Sequence, residues 1–428
     1  MLGQTLGAWR GRTRAELGLP DDRPIVATGH QAALWHPGIA VKIMLTDLLA
    51  DRCGGAAVHL VVDQDANAFE TIELPVRGTD GVLRAQPWRW TERREEVPTG
   101  RQPARRPQPL ADGPFALPQV GIGAEAAHAL LTRFADAPSV AEQLGRAALS
   151  GLRSCGAIDD VPMTSATAMM DTALARRLLE EIEADPWRCA EAYNRAVASV
   201  EGSAPPLLVR DDRVEIPLWR LDAEGRRLRA YDDDLARARD ERLTLLPRAL
   251  LNTALMRLGV CDLFVHGVGG GRYDQATDRW IKAWLGVELA PIAVATADVR
   301  LPLPELAESK PSVAAARRAL RRSWWDPEPR RDGSACPGPR KQAALAAIAA
   351  APRASSTRRQ AFRAMHGMLE AVRAEEQGRL RTLEDDLAMA HRRARSMPVA
   401  QRRDWMFLLY EPQVLRDLRE ACRERLAD

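Results

Sequence analysis

A chain of 428 residues, 46% hydrophobic and 28% charged, is too long for one simple core and has the composition of an ordinary globular protein of two or three domains. Its 61 basic and 58 acidic residues leave a formal net charge of +3, too small for this length to signal a general attraction to nucleic acid or membrane. Six scattered cysteines without a C-x-x-C pair argue against a zinc ribbon or a disulfide framework, and no apolar run has signal or membrane-span length, so a cytoplasmic protein is expected.

Residues 1–20 read as a short amphipathic helix. Residues 25–27 are a short apolar run that stops at Thr28-Gly29, as a buried parallel strand does. A polar loop carrying Thr28, Gly29, His30, Gln31, His36 and Gly38 precedes a helical run over 39–52, which Gly54-Gly55 ends. Residues 58–62 form a second apolar run, with Asp63 and Asp65 at its tip. Strand, loop, helix and strand make a βαβ unit, whose ligands bind beyond the carboxyl ends of the strands. The expected site is therefore the 28–38 loop together with the 63–65 turn.

Beyond it, 69–76 and 82–90 alternate as a hairpin through Gly78–Gly81, and 95–118, rich in Pro, Arg and Gly, reads as an exposed connection. Residues 124–154 and 168–200 are helical by composition and spacing, with a capped break at 163–167. A further hairpin is expected over 207–218, continued by 219–231, and a helix over 243–258.

A second informative stretch runs over 260–274. A strand-like segment ends in His266, and Gly267-Val268-Gly269-Gly270-Gly271-Arg272-Tyr273-Asp274 follows, before a helix over 275–285 and another strand over 291–299. A glycine-rich turn between strand and helix directs backbone N–H groups at an anion. Arg272 stands where the last glycine of the dinucleotide fingerprint belongs, so a plain anion turn and a mere packing turn both remain open. From Pro302 onward come helices over 313–321 and 342–351, a Trp/Pro/Arg/Gly loop over 323–338, and one long charged helix over 355–396. An apolar segment at 405–410 and a last amphipathic helix over 413–426 complete the chain. With no clean heptads, this reads as an antiparallel arm, not a parallel zipper.

His30 and His36 in one seven-residue loop could donate to phosphate, take a proton or bind a metal; each is equally a structural hydrogen-bonder. Lys42, one of only four lysines in an arginine-rich chain, reaches a phosphate or is a surface lysine. Asp63 and Asp65 could hold a metal, bind a sugar hydroxyl or orient a histidine; strand-end acids also cap helices. His266 could cluster with Tyr273, Asp274 and Asp278. No H-x-x-x-H or H-E-x-x-H spacing supports a metal, and no G-x-S-x-G, P-loop or kinase signature occurs.

Thr28-Gly29-His30-Gln31, followed by Leu34, Gly38, Lys42 and Asp63-Gln64-Asp65, resembles the start of the bacillithiol-synthesis cysteine-adding enzymes (BshC). In that family a Thr-Gly-Gln-Gln segment precedes a glycine/proline loop, a helix with Tyr and Lys, and a second strand ending in an acidic turn. His30 replaces the first Gln here, a departure that bears on the chemistry more than on the fold. The segment from Gly267 to Asp274 is similar to the family's later glycine-rich strand end, and a long helical arm is shared. The likeness covers about 20–90 and 245–300.

The resemblance implies an α/β fold: a Rossmann-like parallel-sheet core similar to class I aminoacyl-tRNA synthetases, with a helical insertion and a C-terminal helical, coiled-coil arm. The expected division is 1–118 and 205–301 for the two halves of the core, 119–204 for the insertion and 302–428 for the arm. The implied function is an amide-forming carbon–nitrogen ligase like the enzyme that adds cysteine to glucosaminyl-malate. Alternatives are a nucleotidyl-transfer enzyme, a non-catalytic nucleotide- or metabolite-binding protein, and an interaction scaffold using the arginine-rich arm. His30, His266, Asp63 and Asp65 form the candidate catalytic set. Thr28, Gly29, Gln31, His36, Gly38, Lys42, Gly267, Gly269, Gly270, Arg272, Tyr273 and Asp274 form the binding set, with no metal ligand assigned. The cofactor is left open, with ATP or ADP and Mg as candidates. The expected partner is a small-molecule substrate, with the arm as a candidate homodimer contact.

Overall fold

The computed structural model describes every residue except 1–2, 111–112, 242, 308–310, 330–336 and 428. In chain order, α1 (Leu6–Glu16) leads to β1 (Ile25–Gln31), α2 (Pro37–Arg52) and β2 (Ala56–Val62), then to a hairpin of β3 (Thr71–Arg77) and β4 (Leu83–Arg89). Next come α3 (Pro118–Arg133), α4 (Val140–Ser154), β5 (Met163–Ser165), α5 (Ala166–Met170), α6 (Ala173–Ala184) and α7 (Pro186–Ala198). A small antiparallel sheet of β6 (Glu215–Leu221), β7 (Arg227–Tyr231) and β8 (Leu245–Pro247) follows, with α8 (Asp233–Asp240) before its last strand. Then come α9 (Ala249–Gly259), β9 (Leu263–His266), α10 (Val268–Leu285) and β10 (Ile292–Val294). The remaining helices are α11 (Val313–Trp325), α12 (Pro339–Ala350), α13 (Ser356–Glu375), α14 (Gln377–Ala400) and α15 (Pro412–Ala427).

The chain falls into two compact units. The first comprises residues 1–74, 86–301 and 402–428; the second comprises 75–85 and 302–401. The segment 402–428, expected in the arm, thus belongs to the first unit.

At the centre of the first unit is a five-stranded sheet in the order β10-β9-β1-β2-β5, with every pair parallel. This is an α/β architecture compatible with a Rossmann-like core. Both faces are covered, as a parallel sheet requires. Ile25, Ala27, Val58, Leu60 and Phe264 pack into one large core with Leu250, Ala254, Trp280 and Trp284 of α9 and α10. In that core Trp280 and Trp284 stack at 5.5 Å, and Tyr193 of α7 meets Trp280 edge-on at 5.2 Å. The alternate side chains of β1 and β2 face the helix α2, which packs on both strands. From β1 the chain moves to β2 on one side and, much later, to β9 on the other. The carboxyl ends of β1 and β9 therefore part at a topological switch point, where such folds bind ligands.

The opposite, amino ends of these strands are tied by charge. Asp262 accepts Arg10 and Arg14 of α1, each at 2.7 Å, and the backbone N–H of Ile25 at 2.9 Å.

Several elements differ from expectation. β1 continues through Thr28, Gly29 and His30 to Gln31, because its pairing with β2 runs on as far as Gln31 and Val62, whereas that with β9 ends at Thr28. The segment 163–165 is a strand, β5, at the sheet edge, so 119–204 is not purely helical. Residues 245–247 are strand β8, and α9 starts only at Ala249. The pair Val209 and Val214 forms only an isolated bridge. The glycine-rich turn after His266 is the first turn of α10 itself, which begins at Val268. The 95–118 connection is not wholly exposed: Val97, Thr99 and Gln102 are buried, and Gly100 donates to the carbonyl of Asp63 at 2.8 Å. The long charged helix is two helices, α13 and α14, parted at Glu376, whose φ of −96° and ψ of 18° leave the helical region. Part of the expected 323–338 loop, 330–336, lies outside the described residues.

In the second unit, α11 packs on α14 and α12 on α13, with Ile348, Met365 and Leu369 as a small core. The 75–85 hairpin tip is held there by Ser396, whose hydroxyl accepts from Leu83 N at 2.9 Å, and by the ion pair of Arg77 with Glu305 at 2.6 Å.

Candidate functional site

A cleft of about 550 Å³ opens at the switch point. Gly29, His30, Gln31, His36, Gly38, Lys42 and Asp65 line it from the β1 side; His266, Gly267, Gly269, Gly270 and Tyr273 line it from the β9 side. Its volume is that of an ordinary small-molecule site. Ile39, Val62, Ala249, Val268 and Thr296, not singled out by the sequence, complete the wall and make part of it apolar.

Two helices begin at this cleft. His36 caps α2 by accepting the N–H of Gly38 on Nδ1 at 3.1 Å, and Pro37 occupies the first helical position. That bond keeps the ring proton of neutral His36 on Nε2. Gly38 is demanded by packing, since a Cβ there would lie 2.6 Å from the carbonyl of Ala297. At α10 the cap is Gly267, which offers no side chain, so nothing on the cap covers the first N–H groups and the positive end of the helix faces the cleft.

Lys42 adds the fixed charge. It is buried on α2, and its Nζ donates to the Gly29 carbonyl at 2.9 Å. Burial lowers its pKa to about 8, which leaves it largely protonated at neutral pH.

The histidines separate into different roles. His30 is pushed down to about 3, first by burial and then by Lys42, so it is neutral. Its Nδ1 lies 3.3 Å from the Gln31 carbonyl, which can only accept; the proton therefore sits on Nδ1, and Nε2 presents a lone pair. In this state His30 offers an acceptor, not a donor, at Nε2. His266 is held differently. Its Nε2 lies 2.9 Å from Oδ2 of Asp274, and the same oxygen takes Arg257 Nη1 at 2.8 Å. Arg257, only 2% exposed, also binds Asp278 at 2.7 Å and the Ala290 carbonyl at 2.7 Å. This network fixes the ring with Nε2–H toward the carboxylate and leaves Nδ1 for proton exchange, the arrangement of an oriented general base. Gly270 makes room for it: a Cβ there would lie 2.4 Å from His266 Nδ1. Tyr273 meets the His266 ring edge-on at 5.8 Å, and burial pushes its phenol to about 12.

Four predicted residues lie elsewhere. Thr28 is fully buried and its hydroxyl donates to the Val265 carbonyl at 2.7 Å, stapling β1 to β9. Asp63 turns away to cap α5 through the Thr167 N–H at 2.9 Å and borders a separate depression with Ser139, Glu142 and Ser165. Asp274 stands behind His266, and Arg272 is exposed. Asp65 does reach the cleft, but its oxygens already accept from Gln31, from Arg227 at 2.7 Å and from Ala66 N at 2.9 Å. It is an anchor for Gln31 and Arg227.

One further residue, outside the candidate set, stands out. His59 on β2 is fully buried, both ring nitrogens lack a partner, and burial lowers its pKa to about 3. Trp35 lies between it and His30, with ring centroids 4.9 Å from His59 and 6.2 Å from His30. Its signal would have been alternation: Thr28 and His59 are paired, so His59 faces the same side as His30. Among the described residues no group of three or more His, Cys, Asp or Glu side chains is placed to hold a metal ion.

The fold and cleft define the class: an α/β protein with a positively biased, ligand-sized site at the switch point of a parallel sheet. Compared with protein-family models and with curated proteins, the chain matches none. Among the described residues no helix is long and apolar enough to cross a membrane.

Proposed function

We propose that this cleft binds a phosphate-bearing small molecule, with a nucleotide as the leading candidate, and that the protein is a group-transfer enzyme of the amide-forming ligase type. One observation carries the reading: Lys42, the uncapped start of α10 and the Asp274-oriented His266 converge on a single cleft. A cation and free helix N–H groups hold an anion, while an oriented imidazole moves a proton; together they suit reactions in which an oxyanion forms as an amine loses its proton. The resemblance of the 28–42 and 267–274 segments to the cysteine-adding enzymes, and through them to the class I synthetase-like core, supports the ligase class and a cysteine-like donor.

The residues present fit a nucleotide in one respect and not in another. Lys42 and the N–H groups of Val268, Gly269 and Gly270 would hold phosphate oxygens, and Ile39, Val62 and Ala249 supply apolar wall. Asp65, the one carboxylate that lines the cleft among the described residues, is already engaged, so magnesium would have to be held by the phosphates. A nucleotide bound there supplies an activated phosphoryl or adenylyl group. His266 Nδ1 takes the proton of the attacking amine, and Asp274 holds the ring ready for it. Lys42 and the α10 N-terminus keep the anion in place, and neutral His30 accepts a hydrogen bond from substrate.

The test is calorimetric titration of the whole protein with Mg-ATP, ADP and cysteine, repeated on Lys42→Met and His266→Ala. Saturable binding lost in Lys42→Met supports the anion site, and turnover lost in His266→Ala supports the ligase class. Binding of none of the three, or binding indifferent to Lys42, sinks the reading.

A further inference from the structure

The whole-chain charge of +3 conceals a division. The second unit carries 21 basic and 12 acidic residues, a net of +9, and the first carries 40 and 46, a net of −6. The excess is concentrated on α11 to α13, which hold ten basic and two acidic side chains.

α11 is the extreme case. Its sequence, Val-Ala-Ala-Ala-Arg-Arg-Ala-Leu-Arg-Arg-Ser-Trp-Trp, contains no acid, and Arg317, Arg318, Arg321 and Arg322 are all exposed. Among the described residues none of the four makes an ion pair with a carboxylate. Arginines at i and i+4 repel each other, so the helix bears a cost that its own fold does not offset. At 3.6 residues per turn the four arginines, Trp324 and Trp325 fall within about 160° of the circumference. The complementary face, centred on the buried Ala316, packs on α14.

The two tryptophans give this face its second property. Trp324 is 47% exposed and Trp325 51% exposed, large apolar areas to leave in water. Cations surround them: the Arg373 guanidinium lies 5.0 Å from the Trp324 ring centre, and Lys341 Nζ bonds to the Trp325 carbonyl. Arginines spaced along one face with open indoles at its end match a chain of phosphates with unstacked bases. A bilayer fits less well, because an interfacial helix buries its apolar stripe in lipid and α11 has already spent that stripe on α14.

We infer that the Arg317–Trp325 face of α11, with Lys341 and Arg373, binds single-stranded nucleic acid: the arginines neutralise phosphates and the tryptophans stack on bases. The site is independent of the cleft and of the ligase reading.

The experiment measures fluorescence anisotropy of a labelled mixed-sequence DNA strand of about 20 nucleotides against the full chain, over a series of salt concentrations. Binding is expected at low salt, with an affinity that falls linearly in log–log form as salt rises. Replacing the four arginines by glutamine should reduce the magnitude of that slope by about 3, whereas replacing them by lysine should preserve it. Trp324→Ala with Trp325→Ala should weaken binding by about 30-fold or more and leave the slope unchanged. Circular dichroism checks that each variant keeps its helices. Absence of binding at about 50 mM salt, or a slope indifferent to the glutamine variant, overturns the inference. So does binding to phosphatidylserine vesicles without binding to the strand.

Discussion

Asp274 accepts the Nε2–H of His266 at 2.9 Å on the same oxygen that pairs with Arg257 at 2.8 Å, so one buried carboxylate serves both a candidate base and a buried cation. The two partners make different demands. Removing His266 leaves the Arg257–Asp274 pair intact, whereas removing Asp274 leaves a guanidinium that is 2% exposed with only Asp278 and a carbonyl. His266→Ala should therefore cost only about 1 kcal/mol of stability, and Asp274→Ala about 3–5 kcal/mol. Urea denaturation of both variants measures the difference; equal losses would mean that the ion pair is not what the carboxylate is buried for.

Lys42 gives the cleft a pH signature. Its folded-state pKa of about 8 lies below its ordinary value because of burial, so the cleft carries this charge below pH 8 and sheds it above. Affinity for an anion should be highest below pH 8 and fall as pH rises through it. Lys42→Met should be weak throughout and flat across the same range. Calorimetry with ADP between pH 7 and 10 reads both curves.

His30 and His59 act on stability in acid. Each has a folded pKa of about 3, depressed by burial, against an ordinary 6.5 in the unfolded chain. Between those values the unfolded chain binds protons that the folded protein refuses. Stability is retained above pH 6.5 and falls on acidification toward pH 3, by up to about 1.4 kcal/mol per pH unit for each histidine. His59→Phe should remove one of the two contributions and flatten the decline. Melting temperatures between pH 7 and 4 decide the matter, and an unchanged slope in the variant would show that His59 is not titrating across it.

Two neighbouring glycines of α10 should respond oppositely to alanine. A Cβ at Gly269 meets nothing within 4 Å, so Gly269→Ala should be neutral or stabilising by up to about 1 kcal/mol through helix propensity. At Gly270 the Cβ would sit 2.4 Å from His266 Nδ1, in a ring that Asp274 holds fast. Gly270→Ala should destabilise by about 1–3 kcal/mol and displace the imidazole. Thermal melts and a comparison of histidine NMR shifts distinguish the two.

The parts of this architecture visible in the sequence are those written locally. The runs that become β1, α2 and β2 declare themselves by apolar period, and the 28–38 loop by its histidines and glycines. That the second glycine-rich stretch sits beside the first depends on the pairing of β1 with β9, more than 230 residues apart in the chain, which no local pattern encodes. The same distance hides Arg257, whose role depends on α9 lying beside α10. Asp63 and Asp65 part for a related reason: both sit at the end of β2, but two acids of identical local promise are separated by what their carboxylates meet, Thr167 for one and Gln31 with Arg227 for the other. Strand β5 is not legible in the sequence because three residues at a sheet edge carry too short a pattern to tell from a helix break.

The first unit closes on itself through its last segment. Phe407 donates its N–H to the Trp35 carbonyl at 2.7 Å, and Tyr410 its hydroxyl to Val299 at 3.0 Å. Gly123 lies so close to the Leu408 carbonyl that a Cβ would be 2.1 Å away, and Arg419 binds Asp47 at 2.8 Å. A chain leaving the ribosome has made all five strands of the central sheet by Val294, yet more than a hundred residues must still be translated before this segment exists. The sheet and its cleft must wait, with Trp35 and the α2 face uncovered, while the whole of 302–401 is synthesised. Final assembly of the cleft-bearing unit is thus a late event in the synthesis of the chain.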